Sequence, residues 1–407
     1  MADACDALVI GAGVVGISTA YALAARGLSV TIVDAGPEPG RGASFANGAQ
    51  LSYVYTDALA SPWLLKNLPA LALGRDPAFR LRPSVDPDFI RWGLAFLRNC
   101  SAARFRSNTL EGLRLGLESR AAMHRLLMRH RLEFGHSVAG KLHLLEGKPA
   151  LDAARDMIAL KRAGGAVQVL MGPEEAARLE PAIGGRANDL SGVVYSPQEE
   201  VGDPYLFCAA LMERLTSDYG VATRFGSQVE RIQLAGGGST VRLAGGEHIR
   251  ARRIAICTGV GTPRLLRGTG IKVPIWPMKG YSVTAEPGPE APRISITDVA
   301  RKLVFCSLSG SIRIAGLADL GSRDTSVNKR RLDSLLRAAR DSLPRAADYG
   351  RLKSSWSGLR PMTPRSLPVI RREKGGVVLN VGHGTLGWTY AMGAAERAAD
   401  LVVQRPC

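Results

Sequence analysis

The chain has 407 residues, 46% of them hydrophobic, 46 glycines and a formal net charge of +17. That length carries two compact domains with sizeable cores, and no apolar run reaches the roughly 18 residues that a membrane-spanning helix needs. The six cysteines (Cys5, Cys100, Cys208, Cys257, Cys306 and Cys407) form no CxxC pair and no HExxH spacing occurs, which excludes a zinc ribbon, disfavours a disulfide framework or metal site, and predicts buried thiols.

The N-terminus enters a strand almost at once, with neither a basic n-region nor an apolar h-region. The expectation is a cytoplasmic protein, or one resting on the inner face of the cytoplasmic membrane. Leu8-Val9-Ile10 reads as a buried parallel strand, and Gly11, Gly13 and Gly16 follow as G-x-G-x-x-G. The first glycine allows the turn, the second lets backbone approach a pyrophosphate beside Val14 and Val15, and the third lets the helix pack on the strand. Apolar residues from Ile17 to Ala24 keep helical spacing, and Gly27 closes the helix. Ser29 to Val33 is the second strand and delivers Asp34, where an acid accepts the hydroxyls of an adenosine ribose. An acid there argues for FAD or NAD over NADP.

The loop Pro37 to Gln50 leads out beside the cofactor, with Arg41 placed to meet a phosphate and Ser44 and Asn47 offering short polar groups. Prolines break Ser61 to Asn99 into pieces, among them an apolar helix at Asp88 to Leu97. Asn108 to Arg131, Leu151 to Ala163 and Pro173 to Glu180 read as helices, with strands at Lys141 to Leu145 and Gly192 to Tyr195. Asp203 caps a helix that Pro204 opens. Val221 to Leu234 reads as a hairpin-like strand run, followed by strands at Ser239 to Leu243 and at Arg253 to Gly259, which ends in Thr258-Gly259 near the cofactor. Lys272 to Thr284 reads as a crossover between domains, Lys302 to Leu317 as two strands split at Ser309-Gly310, and Ser326 to Leu343 as a basic helix. After the strand Val377 to Val381, the glycines of Gly382 to Thr389 open a final helix and aim backbone N–H groups at its positive end. Such a terminus stabilises the negative charge of a reduced flavin, a feature NAD chemistry does not need. The arginines are dispersed without interleaved aromatics, so a solvated basic face is favoured over nucleic-acid binding.

These segments together resemble the FAD-dependent D-amino acid oxidoreductase superfamily, and within it the bacterial D-amino acid dehydrogenases. VIGAGVVGISTAYALA, ASFANGAQLS, VPIWPMKGYSVT, IRIAGLADL, WSGLRPMTP and LNVGHGTLGWTYAMG carry the resemblance. It implies an α/β protein: a Rossmann-like FAD-binding domain of the glutathione reductase type and a substrate domain with a large mixed β-sheet. The expected split is 1–52, 198–272 and 354–407 for FAD, and 53–197 and 273–353 for substrate. Carried over, Gly11, Gly13, Val14, Val15, Gly16, Asp34 and Ala35 hold the dinucleotide, with Arg41, Ala43, Ser44, Asn47, Gly48, Ala49 and Gln50 along the flavin. Val229 meets adenine, Thr258 and Gly259 pass the dinucleotide, and Gly384, Thr385, Leu386, Gly387, Trp388 and Thr389 surround the ring. The family has Thr at 43, Ala-Gly at 48–49, Asp-Gly at 365–366, Gly at 371 and often Glu at 319. This chain departs from it with Ala43, Gly48-Ala49, Arg365-Ser366, Arg371 and Asp319.

The implied activity is dehydrogenation of the Cα–N bond of a D-amino acid or a related small amino or imino acid, with hydride passing to FAD. The alternative is an oxidase of glycine, sarcosine, D-hydroxyproline or an opine. Arg360 is the expected carboxylate anchor, because a guanidinium binds carboxylate with two prongs. Tyr281 and Tyr53 are candidate hydroxyl partners, and His383 a residue that tunes the flavin or moves a proton. The acceptor is expected to be a quinone, oxygen or a partner protein. The DFIRWGLAFL stretch beside Arg98, Arg104 and Arg106 offers a peripheral membrane contact, against the plainer reading that Phe89, Trp92 and Leu94 face the core.

Overall fold

A computed structural model describes residues 5–235 and 238–404, so Cys407 lies outside the described residues. The first strand, β1 (Cys5–Ile10), is buried on both faces between β2 (Val30–Val33) and β12 (His248–Ile256), parallel to both. The parallel set continues to β9 (Ala222–Arg224) beyond β2 and to β19 (Val377–Val381) beside the second half of β12. An antiparallel meander, β10 (Val229–Gln233) and β11 (Ser239–Leu243), extends the first half of β12, and β18 (Val369–Arg372) closes on β19. The hairpin reading of 221–234 is corrected here: β9 and β10 lie at opposite edges of this sheet. A strand pairs where its apolar face finds cover, and adjacency in sequence gave no indication of that.

Helix α1 (Val14–Ala24) is buried along nearly its whole length, as an all-round apolar helix must be. It lies between the sheet, α7 (Pro204–Tyr219) and α10 (Gly387–Val403), with the alanines of α1 and α10 in one core. Asp203 caps α7 by accepting from the N–H groups of Tyr205 and Leu206. A short α8 (Thr262–Leu265) follows the Thr258-Gly259 turn.

The second sheet has nine strands: β17 (Ala347–Met362), β13 (Trp276–Pro287), β16 (Ser311–Leu320), β15 (Leu303–Leu308), β14 (Ser295–Asp298), β5 (Lys141–Leu145), β7 (Gly192–Ser196) and β6 (Val169–Met171) in that order, with β4 (Phe79–Leu81) beside the end of β16. Residues 354–362, placed from sequence with the FAD segments, complete β17 and pair along β13. One face of this sheet sends Leu142, Leu144, Ile296, Phe305, Ile312 and Ile314 into a core closed by α9 (Lys329–Ser342) and α6 (Pro173–Leu179). Alternation sends Thr297, Val304, Ala315 and Lys141 to the other face, toward the first sheet. The small ribbon of β3 (Gln50–Leu51) and β8 (Glu200–Val201) joins the two halves.

The remaining helices are peripheral: α2 (Pro62–Ala72), α3 (Pro87–Asn99), the 28-residue α4 (Ala102–Arg129) and α5 (Lys148–Arg162). Pro69 sits inside α2 rather than ending it. The apolar stretch in α3 divides: Trp92 and Phe96 are buried, while Ile90 and Leu94 face outward. Among the described residues, no helix is long and apolar enough to cross a membrane. Cys5, Cys100, Cys208, Cys257 and Cys306 are buried free thiols.

Candidate active site

A cavity of about 1520 Å³ lies between the two sheets. At its nucleotide end Gly11 has φ +106°, and a Cβ there would meet the Cys257 carbonyl at 2.7 Å. Asp34 is fixed by two backbone donors, Ala12 N–H and Gly36 N–H, each at 2.6 Å. Ser44 Oγ accepts from Val14 N–H at 3.0 Å, tying the loop to the start of α1. Gly11, Gly13, Val14, Val15, Asp34, Ala35, Arg41, Ala43, Ser44, Asn47, Gly48, Ala49, Gln50, Val229, Thr258 and Gly259 all line this cavity, as do Gly384 to Trp388. Gly16 does not. It is the packing glycine, since a Cβ there would lie 1.8 Å from the Gly11 carbonyl oxygen. Arg41 stands at the cavity wall paired with Glu38 at 2.5 Å, and its guanidinium lies over Phe45.

These residues fit a flavin dinucleotide. One helix start, α1, opens toward the cavity behind a glycine N-cap that has no side-chain cap. A second, the turn at Gly384–Leu386 and the start of α10, does the same at the other end, again without a capping side chain. Backbone N–H groups at two helix starts, beyond the Val14 N–H that Ser44 accepts, suit an anionic pyrophosphate and an electron-rich ring.

Beyond the second helix start, β13, β16 and β17 form the wall. Arg360 on β17 lies flat over Gly280, whose missing side chain makes the room: a Cβ there would meet the guanidinium at 2.3 Å. It donates 3.0 Å to the Leu317 carbonyl and makes no ion pair among the described residues. Burial pulls Arg360 below its usual range, to about 10, with Asp319 opposing the shift, so it stays charged at neutral pH. Tyr281 also lines the cavity and donates 3.1 Å to Asp319, which is ion-paired with buried Arg331 at 2.7 Å. Burial and the Asp319 charge push the Tyr281 hydroxyl up to about 12, so it remains a neutral donor.

Three sequence expectations change. Tyr53 turns away from the cavity and donates to Glu200 at 3.1 Å, because the chain bends after β3. Thr389 lies outside the cavity wall and instead accepts the Ser52 N–H at 2.9 Å. His383 lines the cavity, but burial pushes it down to about 3, which leaves it neutral and too weak a base to take a proton. The residues that sequence reasoning missed are Tyr55, Lys141, Thr297 and Trp356, all on the wall. Strand alternation in Lys141–Leu145 was the available signal for Lys141, and the WSGLRPMTP motif that for Trp356.

The departures from the family pattern have structural consequences. Ala49 and Ser366 both hold positive φ, 59° and 60°, where the family pattern has glycine. A Cβ at Gly48 would press on the Val304 side chain at 3.0 Å, so Val304 would have to shift to admit one. Arg365 points away from the cavity, to Asn108 and Glu111 on α4, and Arg371 pairs with Glu373. Ala49→Gly is expected to stabilise the protein by about 1 kcal/mol by removing left-handed strain. For a chain of 407 residues that is a rise in Tm of roughly 1 °C, read by calorimetry; a fall in Tm would show the strain is absent.

Residues 6–401 match the family described as DAO, FAD dependent oxidoreductase. The chain is 38% identical over 408 residues to D-amino acid dehydrogenase 2 of Ralstonia nicotianae, covering 98% of this chain and 96% of that protein. It is 36% identical to the D-amino acid dehydrogenase of Dechloromonas aromatica, covering 98% and 97%. Among solved structures, the dithionite-reduced L-α-glycerophosphate oxidase of Mycoplasma pneumoniae, with FAD bound, superposes with TM-score 0.77 at 16% identity, covering 99% and 96%.

Proposed function

The chain belongs to the DAO family of FAD-dependent oxidoreductases, and from that premise we propose that it oxidises the Cα–N bond of a D-amino acid. The observation that carries this reading is Arg360, a charged guanidinium on the cavity wall with no carboxylate partner of its own among the described residues. A substrate carboxylate completes it, two-pronged. FAD, held by the Gly11–Gly13 turn, Asp34 and the Gly384–Leu386 turn, would supply the hydride acceptor for the α-carbon. Tyr281, held in place by Asp319, supplies a neutral hydroxyl beside that anchor. His383 stays neutral and leaves the reacting amine without a competing cation. A dedicated base is not required when the amine binds in its neutral form. The curated relatives, both named for D-amino acids, support that handedness. The test is anaerobic addition of D-amino acids, glycine, sarcosine and cyclic imino acids to the yellow holoprotein. Bleaching by D-amino acids is the expected result, and no bleaching by any of them would refute the reading.

We further propose that a membrane quinone takes the electrons. Helix α2 exposes Trp63 (57%) near Lys66, with Leu73 (70%) just past its end, and α3 exposes Leu94 (53%) between Arg91 and Arg98. The patch adjoins the cavity: Lys302 lines it and lies 5.8 Å from the Trp63 ring centroid. Apolar side chains with neighbouring cations suit an anionic bilayer surface, each cation adding about 1 kcal/mol. Co-sedimentation with anionic but not neutral liposomes, falling at high salt, is expected together with preference for a quinone analogue. Brisk oxygen reduction without liposome binding would overturn this reading.

A further inference from the structure

A second pocket, of about 380 Å³, opens where the end of α2 meets β4 and the start of α9. That volume suits a small ligand or a headgroup. Three arginines line it. Arg82 N–H donates to the Leu320 carbonyl and so continues the ladder of β4, which turns Arg80 and Arg82 to one face, about 7 Å apart along the strand. Both are exposed, and neither side chain makes a hydrogen bond or ion pair among the described residues. Arg80 stands in register with Asp319 of β16, the acid that holds Arg331, so the three cations share one side of the sheet. Arg331 is 1% exposed and donates to the Pro77 and Ala78 carbonyls, while its Nε is buried without a partner. Ser334, one turn further along α9, adds a hydroxyl to the wall. The acid on that wall, Asp76, is ion-paired with Lys302. The pocket is therefore positive and holds unused donors, which is what an anion leaving water requires.

We propose that this pocket binds the phosphate of an anionic phospholipid headgroup, with Arg80 and Arg82 as its two guanidinium forks. The choice of a lipid over a free phosphate rests on the membrane reading above.

The surroundings point to a lipid. Ala72 and Gly74 line the pocket, and Leu73 between them is exposed, as are Trp63 and Leu65 on the same helix. Apolar side chains that enter the acyl boundary thus lie beside cations placed for the phosphate level above it. A planar guanidinium meets two phosphate oxygens at once, so paired arginines hold a phosphate more selectively than a diffuse field of charge does. The pocket also touches the active site through one ion pair, since Asp76 on its wall holds Lys302, which lines the larger cavity. A headgroup bound here turns that side of the protein toward the bilayer, where a quinone resides.

The test is calorimetric titration of the holoenzyme with dihexanoylphosphatidylglycerol kept monomeric, below the concentration at which it aggregates. A monomer presents no charged surface, so its binding reads the pocket and not the net charge of the chain. Saturable binding is expected, with Kd raised at least tenfold when Arg80→Gln and Arg82→Gln are combined. Neither arginine holds another residue, so this variant keeps its Tm. Combining Arg231→Gln and Arg250→Gln removes the same charge from exposed positions on the nucleotide sheet and is expected to leave Kd within about twofold. Absence of saturable binding, or an equal Kd in the Arg80 and Arg82 variant, would overturn the pocket. Inorganic phosphate binding as tightly as the lipid, and lost in the same variant, would overturn the lipid assignment. Co-sedimentation with phosphatidylglycerol vesicles separates this proposal from the membrane reading. If vesicles bind but the monomeric lipid does not, the pocket falls and the membrane reading stands. If the monomeric lipid binds through Arg80 and Arg82 but vesicles do not, the membrane reading falls and the pocket stands.

Discussion

Replacing Arg360 by lysine is expected to lower kcat/KM for a D-amino acid by roughly 1.5–3 kcal/mol, a loss of about tenfold to a hundredfold, while leaving FAD bound. Lysine keeps the charge but loses the planar fork, so one of two hydrogen bonds to the carboxylate goes. The geometry sharpens this expectation. The guanidinium lies on Gly280 and spends one donor on the Leu317 carbonyl, and the position of Leu317 is itself unusual, at φ +60°. A lysine ammonium cannot both hold that carbonyl and present two donors to substrate. Rapid-reaction flavin reduction and steady-state kinetics decide the matter: unchanged kinetics with Arg360→Lys would remove it as the anchor. A raised Kd for substrate with an equal rate of reduction at saturation would assign it to binding alone.

A second large effect is expected at the glycine fingerprint, where two neighbouring substitutions fail for different reasons. Gly16→Ala places a methyl 1.8 Å from the Gly11 carbonyl oxygen, a backbone atom that cannot yield without moving α1 off β1. Overpacking of that kind costs about 3 kcal/mol or more, so the variant is expected to unfold early even without FAD. Gly13→Ala meets only Ser44 Oγ at 3.4 Å, and Gly13 has φ −71°, which alanine tolerates. Its apoprotein is expected to melt close to wild type, but its methyl faces the cavity wall and FAD affinity falls. Calorimetry of apoprotein with fluorescence titration of FAD separates the two. Equal apoprotein stability of both variants would contradict the packing role assigned to Gly16.

The nucleotide end of the site was legible in the sequence because its chemistry is local. Gly11, Gly13, Gly16 and Asp34 lie within a single strand–helix–strand unit, where spacing along the chain dictates placement in space. The Asp203–Pro204 helix start and the paired strands around Ser309-Gly310 were readable for the same reason, as capping and turn chemistry act over a few residues. The Gly384–Trp388 turn was readable from its glycines between a strand and a helix, the resemblance to a known family added Arg360, and the structure brings both to the same cavity. Tertiary structure alone decided what depends on pairing between distant strands. Tyr53 and Tyr55 look equivalent in sequence, yet a bend sends the first to Glu200 and the second to the cavity. Residues 354–362 follow β13 rather than the nucleotide sheet, and β9 and β10 part to opposite edges. Lys141 reads as one residue of an alternating strand. Only the pairing of β5 with β14 sets it and His143 on the same face as Ser295 and Thr297, next to the cavity. The alternation of a strand specifies which residues share a face, and the partner strands decide what that face meets.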